Sequence, residues 1–184
     1  MDMTGEERIA ASREAVWAAL NDVTVLKQCI PGCELLEKVS DTDMTARVKL
    51  QVGPVRATFS GKVKLSDLDP PNGYRISGEG QGGVAGYAKG GAVVRLLPDG
   101  AATLLKYEAK ADVGGKLAQL GGRLVDSTAR KLAGEFFQKF SAIVGPGPSE
   151  APSPAAAAST TAVKVGWFRR LWRRLFGGRI EPSA

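Results

Sequence analysis

Residues 44–65 read MTARVKLQVGPVRATFSGKVKL, and the alternation of apolar and polar side chains in this stretch decides the fold. Apolar or small residues occupy every second position on both sides of Gly53-Pro54, and polar or basic residues fill most positions between them. A period of two is that of a β-strand with one buried face, and a Gly-Pro pair between two such runs favours a hairpin. We therefore predict an antiparallel hairpin with one apolar face and one solvated face.

The same alternation continues after this hairpin. The turn signal Pro-Pro-Asn-Gly at 70–73 leads into a strand over 73–83, GYRISGEGQGG. A further strand is predicted over 87–97, and Pro98-Asp99-Gly100 turns the chain into a strand over 103–111. These segments extend the hairpin into a larger antiparallel sheet.

The segments that flank the sheet have helical patterns. A first strand is predicted over Glu6–Ala11, and short helices begin at Ser12 and Asp22, because Ser and Asp are favourable N-cap residues. Apolar residues at helical spacing predict one long helix from Lys116 to Val144. Gly121-Gly122 is expected to interrupt its first turns, either as a loose lid over one mouth of a cavity or as a kink or close packing contact. The order of elements predicts an α+β fold with a curved antiparallel sheet wrapped around the long C-terminal helix.

The inward positions of two neighbouring strands, 73–83 and 87–97, have very small side chains. They include Gly78, Gly80, Gly82, Ala88, Gly90 and Ala92. A void of about 300 Å³ beneath the helix would cost about 7 kcal/mol, comparable with the whole stability of a domain. Either the glycines let the sheet curve and close the space, or the space is a cavity that a ligand fills.

If a cavity exists, its lining is apolar. Tyr74, Tyr107 and Thr103 are the hydrogen-bonding residues at inward positions, and none of these positions is charged. A lipid, an isoprenoid or a quinone would fit such a lining, whereas a nucleotide or sugar phosphate would not. The residues predicted to form the ligand cavity are Val48, Leu50, Phe59, Tyr74, Ile76, Gly78, Gly80, Gly82, Tyr87, Ala88, Gly90, Tyr107, Leu117, Leu120 and Leu124.

The composition excludes much catalytic chemistry. The chain has no histidine and two cysteines, Cys29 and Cys33. Histidine-based acid–base catalysis and most zinc sites are therefore ruled out, and two thiols are too few for zinc. We expect no catalytic residues, no metal and no tightly bound cofactor. The start of the chain has no secretory pattern and no stretch has 18 apolar residues, so we expect a cytoplasmic protein.

Four stretches resemble a known family. EAVWAALNDV (14–23) and LKQCIPGCE (26–34) resemble the START-like helix-grip superfamily, also called SRPBCC. Within it, GPVRATFSGKVKLSDLDPP (53–71) and LGGRLVDSTARKLAGEFFQKF (120–140) resemble the CoxG family, named after a subunit of carbon monoxide dehydrogenase. The resemblance implies a helix-grip fold with a hydrophobic pocket and without catalytic apparatus. It also implies a role beside a molybdenum-containing dehydrogenase, either tethering that enzyme to the membrane or carrying quinone for its electrons.

The chain divides into a body over 1–144, a Pro/Ala/Ser tether over 145–162 and a tail over 163–184. The tail holds six basic residues and one acid, which accounts for most of the net charge of +6. Its ten-residue core would span about 15 Å as an amphipathic helix, too short to cross a bilayer. The predicted membrane-binding residues are Trp167, Phe168, Arg169, Arg170, Leu171, Trp172, Arg173, Arg174, Leu175 and Phe176.

Anionic lipids of the inner membrane face are the partner that this tail favours, with a protein groove or RNA as rivals. The nearly neutral body argues against nucleic acid as a partner. We therefore expect a non-enzymatic, peripheral membrane protein that binds a quinone-like molecule and serves a molybdenum hydroxylase-type dehydrogenase. The alternative is a recruitment adaptor for that enzyme without a bound ligand. A cyclase-type enzyme on the same fold is disfavoured by the absence of histidine.

Overall fold

The structure is a computed structural model that describes residues 1–145. In chain order its elements are β1 (Asp2–Ile9), α1 (Arg13–Leu20), α2 (Val23–Cys29), β2 (Cys33–Lys38), β3 (Asp43–Val52), β4 (Val55–Asp69), β5 (Gly73–Gln81), a 3-10 turn (Gly83–Ala85), β6 (Tyr87–Asp99), β7 (Ala102–Gly114), α3 (Lys116–Gln119) and α4 (Gly122–Val144). Apart from Gly145, the predicted tether and the tail with its membrane-binding residues 167–176 lie outside the described residues.

Within this part of the chain, seven strands form one antiparallel sheet in the order β1-β7-β6-β5-β4-β3-β2. Strands β2 to β7 follow one another as hairpins, and β1 closes the order by pairing with β7. The hairpin predicted from 44–65 is confirmed: Val52 pairs with Val55 across Gly53-Pro54. Gly53 has φ +55°, in the left-handed region where a residue without Cβ is favoured.

The two short helices begin where the capping residues predict. The Ser12 hydroxyl accepts a hydrogen bond from the Ala15 backbone N–H at 3.3 Å, so Ser12 caps α1. The Asp22 carboxylate accepts from the N–H groups of Thr24 and Val25 at 2.7 and 3.3 Å, so Asp22 caps α2. Each cap satisfies backbone donors that have no partner inside the first turn.

The long C-terminal helix is interrupted at Gly121-Gly122, where the sequence predicts an interruption. The short α3 ends at Gln119 and α4 begins at Gly122. Gly121 lies between them with φ +86°, a left-handed conformation that a right-handed helix cannot continue through. The Gly121-Gly122 pair therefore acts as a break in the helix, and its use as a lid stays a prediction.

The sequence-based prediction missed β2 and misplaced β1. In β2, Leu35 and Leu36 are adjacent and the register shifts between Cys33 and Leu35, so the strand shows no clean period of two. Strand β1 covers Asp2–Ile9 rather than residues 6–11. Its half-buried positions include Gly5 and Glu7, which weaken the apolar signal that marks a strand.

The described core consists of two separate clusters of buried side chains. The larger, which we call the packed end, contains Ile9, Val16, Leu20, Cys29, Leu65, Tyr74, Val94, Leu96, Leu105 and Phe140. The small cluster contains Val52, Phe59, Ala85 and Leu117. The middle of α4, including Val125, Ala129 and Leu132, belongs to neither cluster. The sheet and the helix are therefore packed together at two places with a gap between them.

Candidate ligand-binding site

The gap between α4 and the sheet is a hollow made of two adjoining cavities. The wide chamber has a volume of about 620 Å³ and lies under the first half of α4. The aromatic chamber has a volume of about 300 Å³ and lies next to the packed end. Six residues border both chambers: Val63, Ile76 and Ala92 of the sheet, Ala133 and Phe136 of α4, and Ile30 at the end of α2. Each chamber has the volume of a ligand-binding cavity.

The wide chamber exists because the side chains on both of its walls are small. The sheet contributes glycine and alanine, and the facing side of α4 contributes alanine at two positions one turn apart, Ala129 and Ala133. Such side chains cannot fill the space between the helix and the sheet, which are held apart by the packing in the two core clusters. The small residues of the sheet wall are Ala46, Gly61, Gly78, Gly80, Ala88, Gly90, Gly91, Ala92, Ala109 and Ala111.

The glycines of this wall serve two different purposes. A Cβ on Gly80 would lie 3.9 Å from its nearest neighbours, the Phe59 Cβ and the Ser60 carbonyl, so a side chain has room there. A Cβ on Gly90 would collide with the carbonyl of Lys110, because β6 and β7 approach closely at that point. The glycines therefore have different surroundings at different positions, and filling of the space by a ligand stays a prediction. Gly90 permits the close approach of strands in a curved sheet, and Gly80 keeps the hollow open.

The hollow is uncharged. No residue that lines the aromatic chamber carries a charge. Four charged residues border the wide chamber, namely Lys62, Glu79, Lys89 and Lys110. They are exposed and alternate with the inward-facing residues of their strands. Their side chains therefore extend from the outer face of the sheet. A charged ligand would therefore find no counter-charge among the described inward side chains, whereas an apolar ligand would be well accommodated.

Aromatic rings form the wall where the hollow meets the packed end. Tyr107 stacks on Phe137 with centroids 5.4 Å apart, and Phe136 packs edge-on against Phe137 at 5.1 Å. Tyr74 makes an edge contact with Trp17 at 5.5 Å. These pairs fix the rings in place and form a flat-sided chamber that suits a planar group.

Burial shifts the acidity of both tyrosines. The pKa of Tyr74 lies far above its ordinary value because its hydroxyl is removed from water. The pKa of Tyr107 is also raised, first by partial burial and then by the nearby Glu7 carboxylate, while Arg130 lowers it. Both phenols therefore stay neutral hydrogen-bonding groups at physiological pH.

The structure places most of the predicted cavity residues at the hollow. The wide chamber is lined by Val48, Leu50, Phe59, Ile76, Gly78, Gly80, Ala88, Gly90 and Leu117, and the aromatic chamber by Tyr74, Ile76 and Tyr107. Their role in binding a ligand stays a prediction. The geometry fits, because alternate residues of each strand face α4.

Four predicted cavity residues and Thr103 lie elsewhere. Tyr87 is 47% exposed, because a period of two places it on the face opposite Ala88. Gly82 lies against the Phe59 ring, outside the wall. Leu120 and Leu124 pack against the small cluster instead of facing either chamber. Thr103, which was predicted at an inward position, also lies outside both chambers. It is fully buried, and its hydroxyl donates a hydrogen bond to the carbonyl of Ala11 at 2.7 Å.

The predicted set omitted residues that the fold brings to the hollow. The helix wall is formed by Val125, Thr128, Ala129, Leu132, Ala133 and Phe136. Met1, which precedes β1, and Ile30 and Pro31, which lie between α2 and β2, also line the hollow. The helical spacing of Thr128, Leu132 and Phe136 could have identified that face from the sequence. Met1, Ile30 and Pro31 carry no such signal, because they lie outside the periodic segments.

The cysteines and the charged residues form no second site in the described part. Cys29 is buried in the packed end, Cys33 is half-buried, and both are free thiols. Burial raises the pKa of both thiols, which lowers their reactivity. No cluster of three or more metal-ligating side chains occurs within residues 1–145. Among the helices of the same range, none has the length and hydropathy that spanning a membrane requires.

The curved sheet, the C-terminal helix and the hollow between them define the START-like helix-grip class of proteins. Residues 5–145 match the family described as the CoxG subunit of carbon monoxide dehydrogenase, and the chain belongs to that family. No curated protein matches the chain.

Solved structures share the fold. A conserved protein from Geobacillus kaustophilus is 29% identical with a TM-score of 0.74, and the match covers 78% of this chain and 95% of that one. A START superfamily protein from Mycobacterium smegmatis is 15% identical with a TM-score of 0.60, covering 78% and 96%. The Zhui aromatase/cyclase from Streptomyces sp. R1128 is 14% identical with a TM-score of 0.55, covering 78% and 93%. The last two comparisons bear on the fold alone.

Proposed function

We propose that the chain is a non-enzymatic accessory protein that carries an apolar ligand in its hollow and serves a membrane-linked dehydrogenase. The observation that carries this proposal is the uncharged hollow, with chambers of about 620 and 300 Å³, between α4 and the sheet. Burial of apolar surface is favourable by about 25 cal/mol per Å². Binding of a ligand that contacts both walls would therefore be favoured along the whole length of the ligand.

A quinone, or another isoprenoid or lipid, is the class of ligand that suits these walls. The hollow offers apolar contacts over most of its surface and tyrosines only in the aromatic chamber. A phosphate or carboxylate buried there would lose its hydration without gaining a counter-charge, at a cost of several kcal/mol. A long apolar molecule with one or two polar atoms avoids that cost.

Membership of the CoxG family supports a partner for this carrier. The family takes its description from carbon monoxide dehydrogenase, and the sequence resemblance implies a molybdenum-containing enzyme of that type. On this proposal a quinone held in the hollow transfers electrons between the dehydrogenase and the respiratory chain of the membrane. The hollow then shields the apolar quinone from water between its reaction with the dehydrogenase and its reaction with the respiratory chain.

We further propose that residues 163–184 attach the protein to the inner face of the cell membrane. The sequence WFRRLWRRLF provides six large apolar side chains and four arginines that separate onto two faces at helical spacing. Trp favours the lipid–water interface, and each Arg near an anionic leaflet gains about 1 kcal/mol. The protein would then be peripheral and would face the cytoplasm.

Retention of a native ligand tests the carrier role. The full chain is purified from its own host, and what it retains is identified by native mass spectrometry and organic extraction. We expect a prenylated or other apolar molecule in the wild type and at least a tenfold lower amount in Ala129→Phe, which fills the wide chamber. Ala142→Phe is the matched control, because Ala142 is an exposed residue of the same helix. A wild-type protein that consistently carries no such molecule would contradict the carrier role and support the adaptor.

Sedimentation with liposomes tests the membrane role of the tail. The full chain should bind vesicles that contain anionic lipid, and Trp172→Glu should lower the bound fraction several-fold because it places a charge on the apolar face. Thr161→Glu makes the same charge change in the tether and should leave binding unaltered. Equal binding by wild type and Trp172→Glu would refute membrane attachment through this segment.

A further inference from the structure

The two chambers of the hollow differ in the groups that they offer to a ligand. The part of the wide chamber outside the shared wall is lined mainly by aliphatic side chains and glycine. The aromatic chamber adds rings from both the sheet and α4, including Tyr74, Tyr107 and Phe137. A ligand with two chemically different ends would therefore bind favourably in only one orientation within the hollow.

Tyr74 and Tyr107 are the polar side chains that line the aromatic chamber, and Tyr74 is the more deeply buried of the two. Tyr74 is 5% exposed, and its hydroxyl forms no hydrogen bond with any residue in the described range 1–145. Because Tyr74 lines the aromatic chamber, a ligand in that chamber would contact this side chain.

The other hydroxyl groups near the hollow have alternative surroundings. Tyr107 pairs with Gly5 across β7 and β1, and its ring and hydroxyl lie over Gly5, at the edge of the sheet. There it is close enough to Glu7 and Arg130 for both charges to shift its pKa. In the helix wall, the Thr128 hydroxyl donates to the carbonyl of Leu124 at 2.8 Å. Tyr74 is thus the deeply buried hydroxyl at the hollow for which none of the described residues supplies a hydrogen-bond partner.

A buried hydroxyl without a partner is unfavourable, and a ligand that accepts its proton in a hydrogen bond recovers that cost. Because the Tyr74 phenol stays protonated, it offers a donor. The complementary group is a neutral acceptor such as a carbonyl oxygen. A charged acceptor would gain the same hydrogen bond but would lose its hydration in an uncharged chamber.

We propose that the ligand enters with its head first, so that a carbonyl oxygen on a flat ring accepts a hydrogen bond from Tyr74 in the aromatic chamber. The apolar chain then lies in the wide chamber, between Gly80 and Ala129. This proposal rests on the proposed carrier function and adds the orientation of the ligand and the residue that recognises its head. Tyr74 thereby selects ring carbonyl compounds over hydrocarbons and over lipids with charged head groups.

A pair of probes that differ only in the carbonyls tests this selection. The probes are 2,3-dimethyl-1,4-naphthoquinone, whose blocked ring positions prevent addition of thiols, and 2,3-dimethylnaphthalene. Binding of each to the full chain is measured by calorimetry. We expect Tyr74→Phe to weaken binding of the quinone about five- to tenfold and to change binding of the hydrocarbon less than twofold. Tyr87→Phe is the matched control, because Tyr87 is 47% exposed and lies on the outer face of the sheet, and it should change both affinities less than twofold.

The infrared band of the bound carbonyl gives a second readout. A hydrogen bond to Tyr74 should lower the carbonyl stretching frequency of the bound quinone, and Tyr74→Phe should return it toward the value in hydrocarbon solvent. An unchanged quinone-to-hydrocarbon affinity ratio and an unchanged band in Tyr74→Phe would overturn the role of Tyr74 while leaving the carrier function in place. Failure of the wild type to bind either probe would overturn the carrier function as well.

Discussion

The packed end and the wide chamber are built from the same strands and the same helix, yet one is solid and the other is hollow. Strand β5 shows the contrast within nine residues. Tyr74, near its start, is buried and packs against Trp17, whereas Gly78 and Gly80 further along face the wide chamber. The ladder between β5 and β6 continues without interruption from Tyr74 to Gln81. The volume of the side chains, and not the pairing of the strands, therefore decides where the interior is filled.

Helix α4 shows the same contrast along its length. Phe140, near its C-terminus, is fully buried and stacks on Phe136 at 5.6 Å. Leu132, about two turns earlier, is only half-buried and belongs to neither core cluster. The helix is thus anchored at its C-terminal end and spans the hollow with its middle. Stability and ligand binding can then be assigned to different parts of one helix.

The largest predicted effect is the loss of a side chain from the packed end. Phe140→Ala should lower the free energy of unfolding by about 3–5 kcal/mol, because it creates a new cavity in a close-packed region. Leu132→Ala should cost less than about 1.5 kcal/mol, because it only widens a space that already exists. Urea unfolding of both variants measures the difference. Equal losses would mean that the middle of α4 is packed as tightly as its end.

The next effect separates the two kinds of glycine in the hollow wall. Gly90→Ala should lower the free energy of unfolding by about 1–3 kcal/mol, because its methyl group would collide with the Lys110 carbonyl. Gly80→Ala should raise it by about 0.5–1 kcal/mol, since Ala restricts the unfolded chain and has room in the folded one. Thermal unfolding of the pair provides the measurement, and a destabilised Gly80→Ala would contradict the assignment of Gly80 to open space.

A smaller effect concerns the alkaline side of the pH–stability profile. Tyr74 has a raised pKa in the folded protein, so its contribution to stability is complete below pH 10 and is lost as the pH rises further. Between pH 9 and pH 11, wild type should lose about 1 kcal/mol more than Tyr74→Phe. Urea unfolding at the two pH values tests this, and parallel losses in both proteins would show that the Tyr74 hydroxyl is in contact with bulk water.

The sequence predicted the strands with strict alternation because one buried face imposes a period of two on side-chain polarity. It failed at β2, where adjacent leucines and a register shift conceal the period. A register shift is a feature of backbone geometry that side-chain polarity does not encode.

The hollow was predictable from the run of inward Gly and Ala residues in β5 and β6. Its division into two chambers was not, because that depends on where aromatic side chains of α4, such as Phe136, meet the sheet. The sequence also could not distinguish Gly80 from Gly90. That difference arises from the distance between neighbouring strands, which is a property of the folded sheet.

The central claim is that an apolar molecule binds between α4 and the sheet. Isotope-filtered nuclear Overhauser effects between the full chain and 2,3-dimethyl-1,4-naphthoquinone test it most directly. The account predicts contacts from the ring protons of the quinone to the methyl groups of Ala92, Ala133 and Ile76, and none to the exposed Val84. Contacts confined to Val84 or to other outer residues, with none to Ala133, would contradict it.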